Sequence, residues 1–187
     1  TVFGATVSSG SLNISNTAPT ARTVNIGPNP ARKSDTLLCN YTYSDADGDA
    51  QSGTSISWTV TTSTGSTASY TGATLKGAFK KGDSVVCKVT PKDGKDFGTA
   101  VSSPARVISN TAPIARNAVV TPNPAKLADT LGCTYAYSDV DGDPESGSQI
   151  TWTIARTSGS TVTYTGASLS GKFNKGDMIK AYDHQPM

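Results

Sequence analysis

Two short acidic segments contain the residues of this sequence whose types and spacing best suit a chemical role. Asp45, Asp47 and Asp49 alternate with a small residue and a glycine, and the segment 139–143 repeats this arrangement. Alternating carboxylates around a sharp glycine turn suit a hard cation such as Ca²⁺, because that ion takes six to eight oxygen ligands. The sequence therefore predicts two candidate calcium sites.

Other carboxylates are expected to complete these sites. In a seven-strand sandwich, the loop after the second strand and the loop after the sixth strand share one pole. The candidate ligands are Asp45, Asp47, Asp49, Asp93, Asp96, Asp139, Asp141, Asp143 and Glu145. An EF-hand is excluded because neither loop has a glutamate at its twelfth position or flanking helices. The same aspartates can also form Asx turns that reverse the chain without a metal.

Catalytic, membrane and nucleic-acid functions have little support in the composition. His184 is the only histidine, and no glycine-rich phosphate loop leads from a strand into a helix. No apolar run approaches the roughly 20 residues that cross a bilayer. The 16 basic residues are scattered and balanced by 14 acidic ones, unlike a nucleic-acid footprint. We expect a protein that is not an enzyme, does not span a membrane and does not bind nucleic acid.

An internal repeat organises the whole chain. Cys39 recurs as Cys133 and Trp58 recurs as Trp152, each pair being 94 residues apart. This period suits an independent β-sandwich of roughly 100 residues and is too long for a solenoid unit. The predicted boundaries are 1–15 for a separate N-terminal strand, 16–109 for the first domain and 110–187 for the second.

Each copy has the pattern of an all-β domain. Short segments rich in β-branched and aromatic residues are separated by Gly, Pro, Asn and Asp about every 8 to 12 residues. Seven such segments suit an immunoglobulin-like Greek-key sandwich, and we predict two of these in tandem. The predicted strands of the first copy are 23–26, 36–43, 55–61, 68–70, 74–79, 84–90 and 99–108.

Two cysteines and a tryptophan fit the core of that sandwich. Cys39 and Cys87 lie on the second and sixth predicted strands, and Trp58 on the third is placed to pack against a disulfide between the sheets. Such a bond indicates an oxidising, extracellular compartment. The alternative is a pair of small buried thiols. Cys133 has no equivalent partner because Ala181 occupies the position that matches Cys87.

These features resemble the tandem immunoglobulin-like repeats of large bacterial surface proteins and, more distantly, cadherin-like and polycystic-kidney-type modules. The resemblance is carried by the Asn-Thr-Ala-Pro linkers, the Asp-rich turn, the tryptophan and a Lys-Gly-Asp run before the sixth strand. It covers essentially the whole chain. It implies a stalk, a spacer or an adhesive segment of a secreted protein, and it names no ligand.

The copies are shifted by one strand relative to the printed sequence. The Phe-Gly pair at 3–4 recurs at 97–98, so residues 1–15 correspond to the seventh strand of a copy. Similarity in the second copy ends near Lys180, so the second domain is expected to lack its own seventh strand. A sandwich without an edge strand favours strand addition. The candidate donor residues are Phe3, Val7, Leu12 and Ile14.

Three functions follow from these expectations. In the first, copies of the chain join head to tail by strand donation and form an extracellular filament, because the donor and acceptor surfaces differ. In the second, the chain is a stalk segment cut out of phase from a longer adhesin. In the third, it is an accessory module for surface glycans or proteins. The tyrosines that could stack on sugars, or equally fill the core, are Tyr41, Tyr43, Tyr70, Tyr135, Tyr137 and Tyr164.

Overall fold

The computed structural model describes residues 1–184, in which strands and loops occur and no helix is present. The all-β class predicted from the sequence is therefore confirmed. The chain divides into two compact units. The first comprises Thr1–Ala31, Asp35–Phe79 and Asp83–Val107, and the second comprises Arg32–Ser34, Lys80–Gly82 and the residues from Ile108 on. No helix in the described range is long and apolar enough to cross a membrane.

The first unit contains two sheets of antiparallel strands. Its strands are β1 (Thr20–Gly27), β2 (Ala31–Arg32), β3 (Thr36–Ser44), β4 (Ser55–Thr61), β5 (Thr67–Thr71), β6 (Thr74–Lys76), β7 (Ser84–Thr90), β8 (Val101–Ser102) and β9 (Arg106–Ser109). One sheet has the order β1-β3-β6, and the other has the order β2-β9-β7-β4-β5 with β8 also paired to β7. Boundaries between the units fall within β2 and β9, and both strands are described here with the sheet that they join.

Most strands of the first copy lie where the sequence predicted them. The third and sixth predicted strands coincide with β4 and β7, whereas the fifth ends at Lys76 instead of residue 79. The seventh predicted strand, 99–108, is two short strands. Pro104 lies between β8 and β9, and proline cannot donate a backbone hydrogen bond to a neighbouring strand. The ladder along β7 is therefore interrupted there.

The second unit repeats most of this arrangement. Its strands are β10 (Ile114–Thr121), β11 (Leu131–Ser138), β12 (Gln149–Ala155), β13 (Thr161–Thr165), β14 (Ser168–Leu169) and β15 (Met178–His184). The sheets have the orders β10-β11-β14 and β13-β12-β15. Four of these strands, β10, β12, β13 and β15, begin and end 94 residues after their counterparts β1, β4, β5 and β7. Within the described range, β2, β8 and β9 have no counterpart.

A buried tryptophan lies at the centre of each unit. Trp58 and Trp152 are 1% and 0% exposed, and each indole Nε1 donates a hydrogen bond of 2.8 Å to a glycine carbonyl, that of Gly72 or Gly166. Burying a large ring while its single donor is satisfied stabilises the fold without leaving an unpaired polar group.

The disulfide predicted for the first copy is present. It joins Cys39 on β3 to Cys87 on β7 and so links the two sheets of the first unit. Cys87 is also the register partner of Trp58. In the second unit Ala181 pairs with Trp152 instead, and Cys133 is a half-buried free thiol whose pKa is raised by burial and by Asp183.

Residues 1–19 precede β1 and form no strand. The predicted donor side chains are exposed, Phe3 by 88% and Ile14 by 89%, and Val7 and Leu12 are similarly open. Within a single chain the segment 1–15 is therefore not a strand, and its predicted pairing with a second copy stays a prediction. A strand needs a neighbour to pair its backbone groups, and no described residue pairs with this segment.

Candidate functional sites: two acidic turns and an open sheet edge

The first acidic turn follows β3 and is shaped by its leading aspartate. Asp45 Oδ1 accepts hydrogen bonds from the backbone N–H groups of Asp47 at 2.8 Å and Asp49 at 3.2 Å. Gly48 has φ of 83°, a left-handed conformation that favours glycine. This is the Asx turn that short acidic runs favour, and it holds three carboxylates on one loop.

The second acidic turn follows β11 and has the same construction. Asp139 Oδ1 accepts hydrogen bonds from the backbone N–H groups of Asp141 at 2.7 Å, Gly142 at 3.0 Å and Asp143 at 3.3 Å. Gly142 has φ of 86°. The two Asx turns therefore share a local geometry that follows from a shared sequence.

Each turn brings three carboxylates together as a possible cation site. One oxygen from each of Asp45, Asp47 and Asp49 lies within 4.8 Å of the other two, and the same holds for the triad in segment 139–143. Calcium binds oxygen at about 2.3 to 2.6 Å, so oxygens around one ion lie within about 5 Å of each other. The spacing of both triads fits a hard cation.

The buried oxygens distinguish the two turns. In the first, Asp45 Oδ2 is buried without a hydrogen-bond partner among the described residues. In the second, three oxygens are in that state: Oδ2 of Asp139, Oδ1 of Asp141 and Oγ1 of Thr111. Buried oxygens without a donor are costly unless something satisfies them. A cation bound by the triad would be held by the carboxylates of Asp139 and Asp141, which carry two of these oxygens. Thr111 adjoins them, since its backbone N–H donates to Asp141 Oδ2 at 2.6 Å.

A lysine ammonium already contacts the last aspartate of each triad. In the first unit Lys95 Nζ lies 2.9 Å from Asp49 Oδ2. In the second unit, which includes residues 80–82, Lys81 Nζ donates to Asp143 Oδ1 at 2.6 Å. Each carboxylate raises the pKa of its lysine. A cation that bound to all three carboxylates would compete with these exposed ion pairs, which contribute little stability.

Two predicted ligands of the first site have a different hydrogen-bond partner. Asn16 Nδ2 donates to Asp93 Oδ2 at 2.9 Å and to Asp96 Oδ2 at 2.8 Å. The Asn16 side chain, together with backbone N–H groups of Asp96 and Lys95, lowers the pKa of Asp93 to about 2, although burial opposes this. Asp93 and Asp96 therefore hold the segment before β1 and are not members of the triad.

Glu145, the predicted ligand that follows the second run, also lies outside its triad. Its Oε1 accepts a short hydrogen bond from the hydroxyl of Tyr135 and one of 2.7 Å from Ser148 Oγ. The carboxylate therefore fixes the loop before β12 and is not placed with the three aspartates.

Two tyrosines hold the acidic turns in place. The hydroxyl of Tyr43 donates to the carbonyl of Asp49 at 3.2 Å, and that of Tyr137 donates to the carbonyl of Asp143 at 3.0 Å. Burial and the nearby carboxylates raise the pKa of both phenols. This role was not predicted from the sequence. The available signal was that, in both copies, the tyrosine stands six residues before the last aspartate of the turn. Their hydroxyls are engaged within the fold instead of being presented to a sugar.

The third candidate site, after the two acidic turns, is the outer edge of β15. In the first unit the same edge of β7 is paired with β8 and β9, and Ile108 on β9 is 1% exposed. In residues 1–184 no strand pairs with that edge of β15. Two adjoining grooves of about 430 and 560 Å³ lie beside it. Their apolar lining residues are Val119, Val120, Ala125, Leu127, Leu131, Phe173 and Ile179.

Asp177 supports the start of β15 beside these grooves. Its side chain is 1% exposed and pairs with Arg156 Nη1 at 2.7 Å. It also accepts hydrogen bonds from the backbone N–H groups of Asn174 at 2.8 Å and Thr157 at 3.2 Å. These backbone bonds and the Arg156 side chain lower the pKa of Asp177 below its usual 3.8, while burial acts in the opposite direction.

The lowered pKa of Asp177 predicts an acid-sensitive second unit. Its contribution to stability is present above the unfolded pKa near 4 and is lost as the pH falls through the lower folded value. Thermal unfolding of Asp177→Asn should therefore depend less on pH below about 4 than that of the wild type. Equal pH dependence in both proteins would contradict this assignment.

Comparison with known proteins gives no relative from which a role could be transferred. No protein-family model matches the chain, and no curated protein sequence matches it. The case for function therefore comes from the residues and geometry described above.

Proposed function

We propose that the chain is a non-enzymatic, extracellular structural protein built from two tandem immunoglobulin-like Greek-key sandwiches. Copies of it join head to tail into a surface fibre, with residues 1–15 of one copy completing the second unit of the next. Donor and acceptor surfaces differ, so the contact does not close on itself and can propagate.

One observation carries this proposal. Residues 1–15 are identical at seven positions to residues 95–109, which include β8 and β9 and cover the edge of β7, while the equivalent edge of β15 is open within the described range. The shared residues are Phe3, Gly4, Val7, Ser8, Ser9, Ile14 and Ser15. An exposed apolar segment and an open apolar edge of matching type favour pairing between copies, which is how peptides add to sheets.

The extracellular location is supported by the disulfide. Cys39 and Cys87 are both buried, and a structural bond between sheets persists in oxidising compartments, whereas cytosolic thiols are kept reduced.

A spacer role in a longer repetitive adhesin is the second candidate, and the regularity of the repeat favours it. Strands β10, β12, β13 and β15 copy the lengths of their counterparts without a single insertion, as in tandem arrays. In that case the strand beside β15 comes from a following copy of the same polypeptide. The edge of β15 is then used in the same way, and the chain acts as a rod and not as a polymer subunit.

We further propose that the acidic turns bind Ca²⁺, the second more tightly than the first. The support is the spacing of the triads and the three buried, unsatisfied oxygens of the second turn. Segment 139–143 would supply the carboxylates and Thr111 a hydroxyl. The ion would stiffen the loop between β11 and β12.

Deletion of residues 1–15 tests the main proposal. The 187-residue chain should form a concentration-dependent ladder of oligomers by light scattering after size exclusion, and fibres by negative-stain microscopy. The deleted protein should be monomeric, because it retains the open edge and lacks the donor. Its thermal unfolding should match that of the 187-residue chain diluted until it dissociates, since residues 1–15 form no strand within one chain. The assembled 187-residue chain should melt higher, because the donated strand binds only the folded second unit. Assembly of both proteins to the same size would refute strand donation, and a monomeric 187-residue chain would leave the spacer role.

A further inference from the structure

The groove beside β15 differs in chemistry from its counterpart in the first unit. Position 106 on β9 is an arginine, whose Nη2 donates to the carbonyl of Ile26 at 3.3 Å and whose Nε is buried without a described partner. Its register partner on β7 is Val85. The strand β9 thus carries a charged, half-buried side chain at its first residue.

At two of the corresponding positions the second unit has a more apolar side chain. Val85 is replaced by Ile179, and Asn25, the neighbour of Ile26, is replaced by Val119. Val119 is 51% exposed, and both residues line the groove of about 560 Å³. An arginine placed there would lose hydration opposite aliphatic side chains, whereas an aliphatic residue would bury apolar surface.

The N-terminal segment carries the matching change. Leu12 stands where β9 has Arg106, with Ile14 two residues later at the position of the buried Ile108. By the register of β7 with β9, Leu12 would lie opposite Ile179. Residues 1–15 are therefore better suited to the groove beside β15 than β9 is, because they have Leu12 where β9 has Arg106.

Glycine at position 4 gives a second, independent sign of docking. A Cβ atom on the equivalent Gly98 would lie 1.8 Å from the carbonyl oxygen of Pro19, so that position admits only glycine. Around Gly4 nothing lies within 4 Å, so the chain by itself gives no reason for glycine. Pro113 is the counterpart of Pro19 in the second unit. A close approach of Gly4 to Pro113 of another copy supplies the reason.

From these observations we infer that the groove beside β15 is selective for residues 3–14 of a second copy of this chain. The contact of Leu12 with Ile179 provides the selectivity. The absence of a side chain at Gly4 allows the donated segment to approach the carbonyl of Pro113. The register places Ser8 opposite Tyr182, as Ser102 lies opposite Lys88. This inference rests on the proposed function, since it names which strand the edge accepts.

Four full-length variants test the selectivity. Leu12→Arg recreates the β9 residue and should weaken self-association at least about tenfold in sedimentation equilibrium, because one buried leucine contact is lost and a charge is desolvated. Gly4→Val should abolish association. Gly10→Val is the matched control, because position 10 aligns with Pro104, which lies between β8 and β9 and outside both strands. This variant should associate like the wild type. Adding Val119→Glu to Leu12→Arg should restore association by pairing the charges.

The outcomes separate this inference from the proposed function. If the wild type does not associate, strand donation itself is wrong. If the wild type and Leu12→Arg associate equally, donation stands and the selectivity contact is wrong. Equal association of Gly4→Val and Gly10→Val refutes the close approach to Pro113. The variants changed only within residues 1–15 should share the melting temperature of the wild type at a concentration low enough to keep all of them monomeric, because residues 1–15 form no strand within the chain.

Discussion

Reducing the Cys39–Cys87 disulfide is expected to lower the free energy of unfolding of the first unit by about 4 kcal/mol. The bond joins residues 48 positions apart, and opening a loop of that length increases the entropy of the unfolded chain by the corresponding amount. Reduction creates no compensating interaction in the folded unit, because both thiols would stay buried between the sheets. Since small domains have only about 5 to 15 kcal/mol of stability, this is a large fraction.

The second unit serves as an internal control for that experiment. It has Ala181 at the position of Cys87 and no disulfide in the described range. Hydrogen exchange with and without a reducing agent, read on peptides from β7 and from β15, should show faster exchange only in β7. Cys133→Ser removes the free thiol and with it any disulfide exchange. Equal acceleration in both strands would show that the bond does not stabilise the first unit specifically.

Calcium at a hundredfold excess over its dissociation constant is expected to stabilise the second unit by about 2.7 kcal/mol, the linkage effect of one bound ion. Two buried oxygens without partners belong to Asp139 and Asp141, whose carboxylates would bind the ion, and a third belongs to the adjoining Thr111. Calorimetry with increasing Ca²⁺ and reversal by a chelator measures the effect. The first unit should respond less, since one oxygen of its turn is in that state.

Two variants decide whether the triad is the site. Asp141→Asn should remove most of the calcium-dependent shift of the second unit by taking one charge from the triad. Glu145→Gln should leave the shift unchanged, because Glu145 is bonded to Tyr135 and Ser148 instead. A calcium shift that survives Asp141→Asn, or the absence of any shift in the wild type, would rule out the proposed site.

Local sequence patterns were sufficient for several elements of this structure. The predictions for β4 and β7 coincide with the observed bounds because alternating burial along a short β-rich run is visible in the residues themselves. The pairing of Cys39 with Cys87 followed from their strands and from Trp58. The acidic triads formed as expected because their members are two residues apart within one turn, so their spacing hardly depends on the rest of the chain.

Contacts between distant residues decided the composition of the sites. Asp93 and Asp96 were expected as ligands beside the first triad, and both accept hydrogen bonds from Asn16, 77 and 80 residues away. Their part in a cation site stays a prediction. Glu145 was expected as a ligand, and its carboxylate accepts a hydrogen bond from the hydroxyl of Tyr135. A carboxylate accepts from whichever donors the fold brings near it, and a sequence does not reveal which donors those are.

Residues 1–15 show most plainly what the sequence determined and what it left to tertiary structure. The period of 94 residues, the β-rich composition of each copy and the similarity of this segment to the one that contains β8 and β9 are all visible in the sequence. Only the three-dimensional structure decided that β8 and β9 form strands while their N-terminal counterpart does not. A strand is stabilised by hydrogen bonds to another strand, so two related segments adopt different states when only one of them has a neighbour.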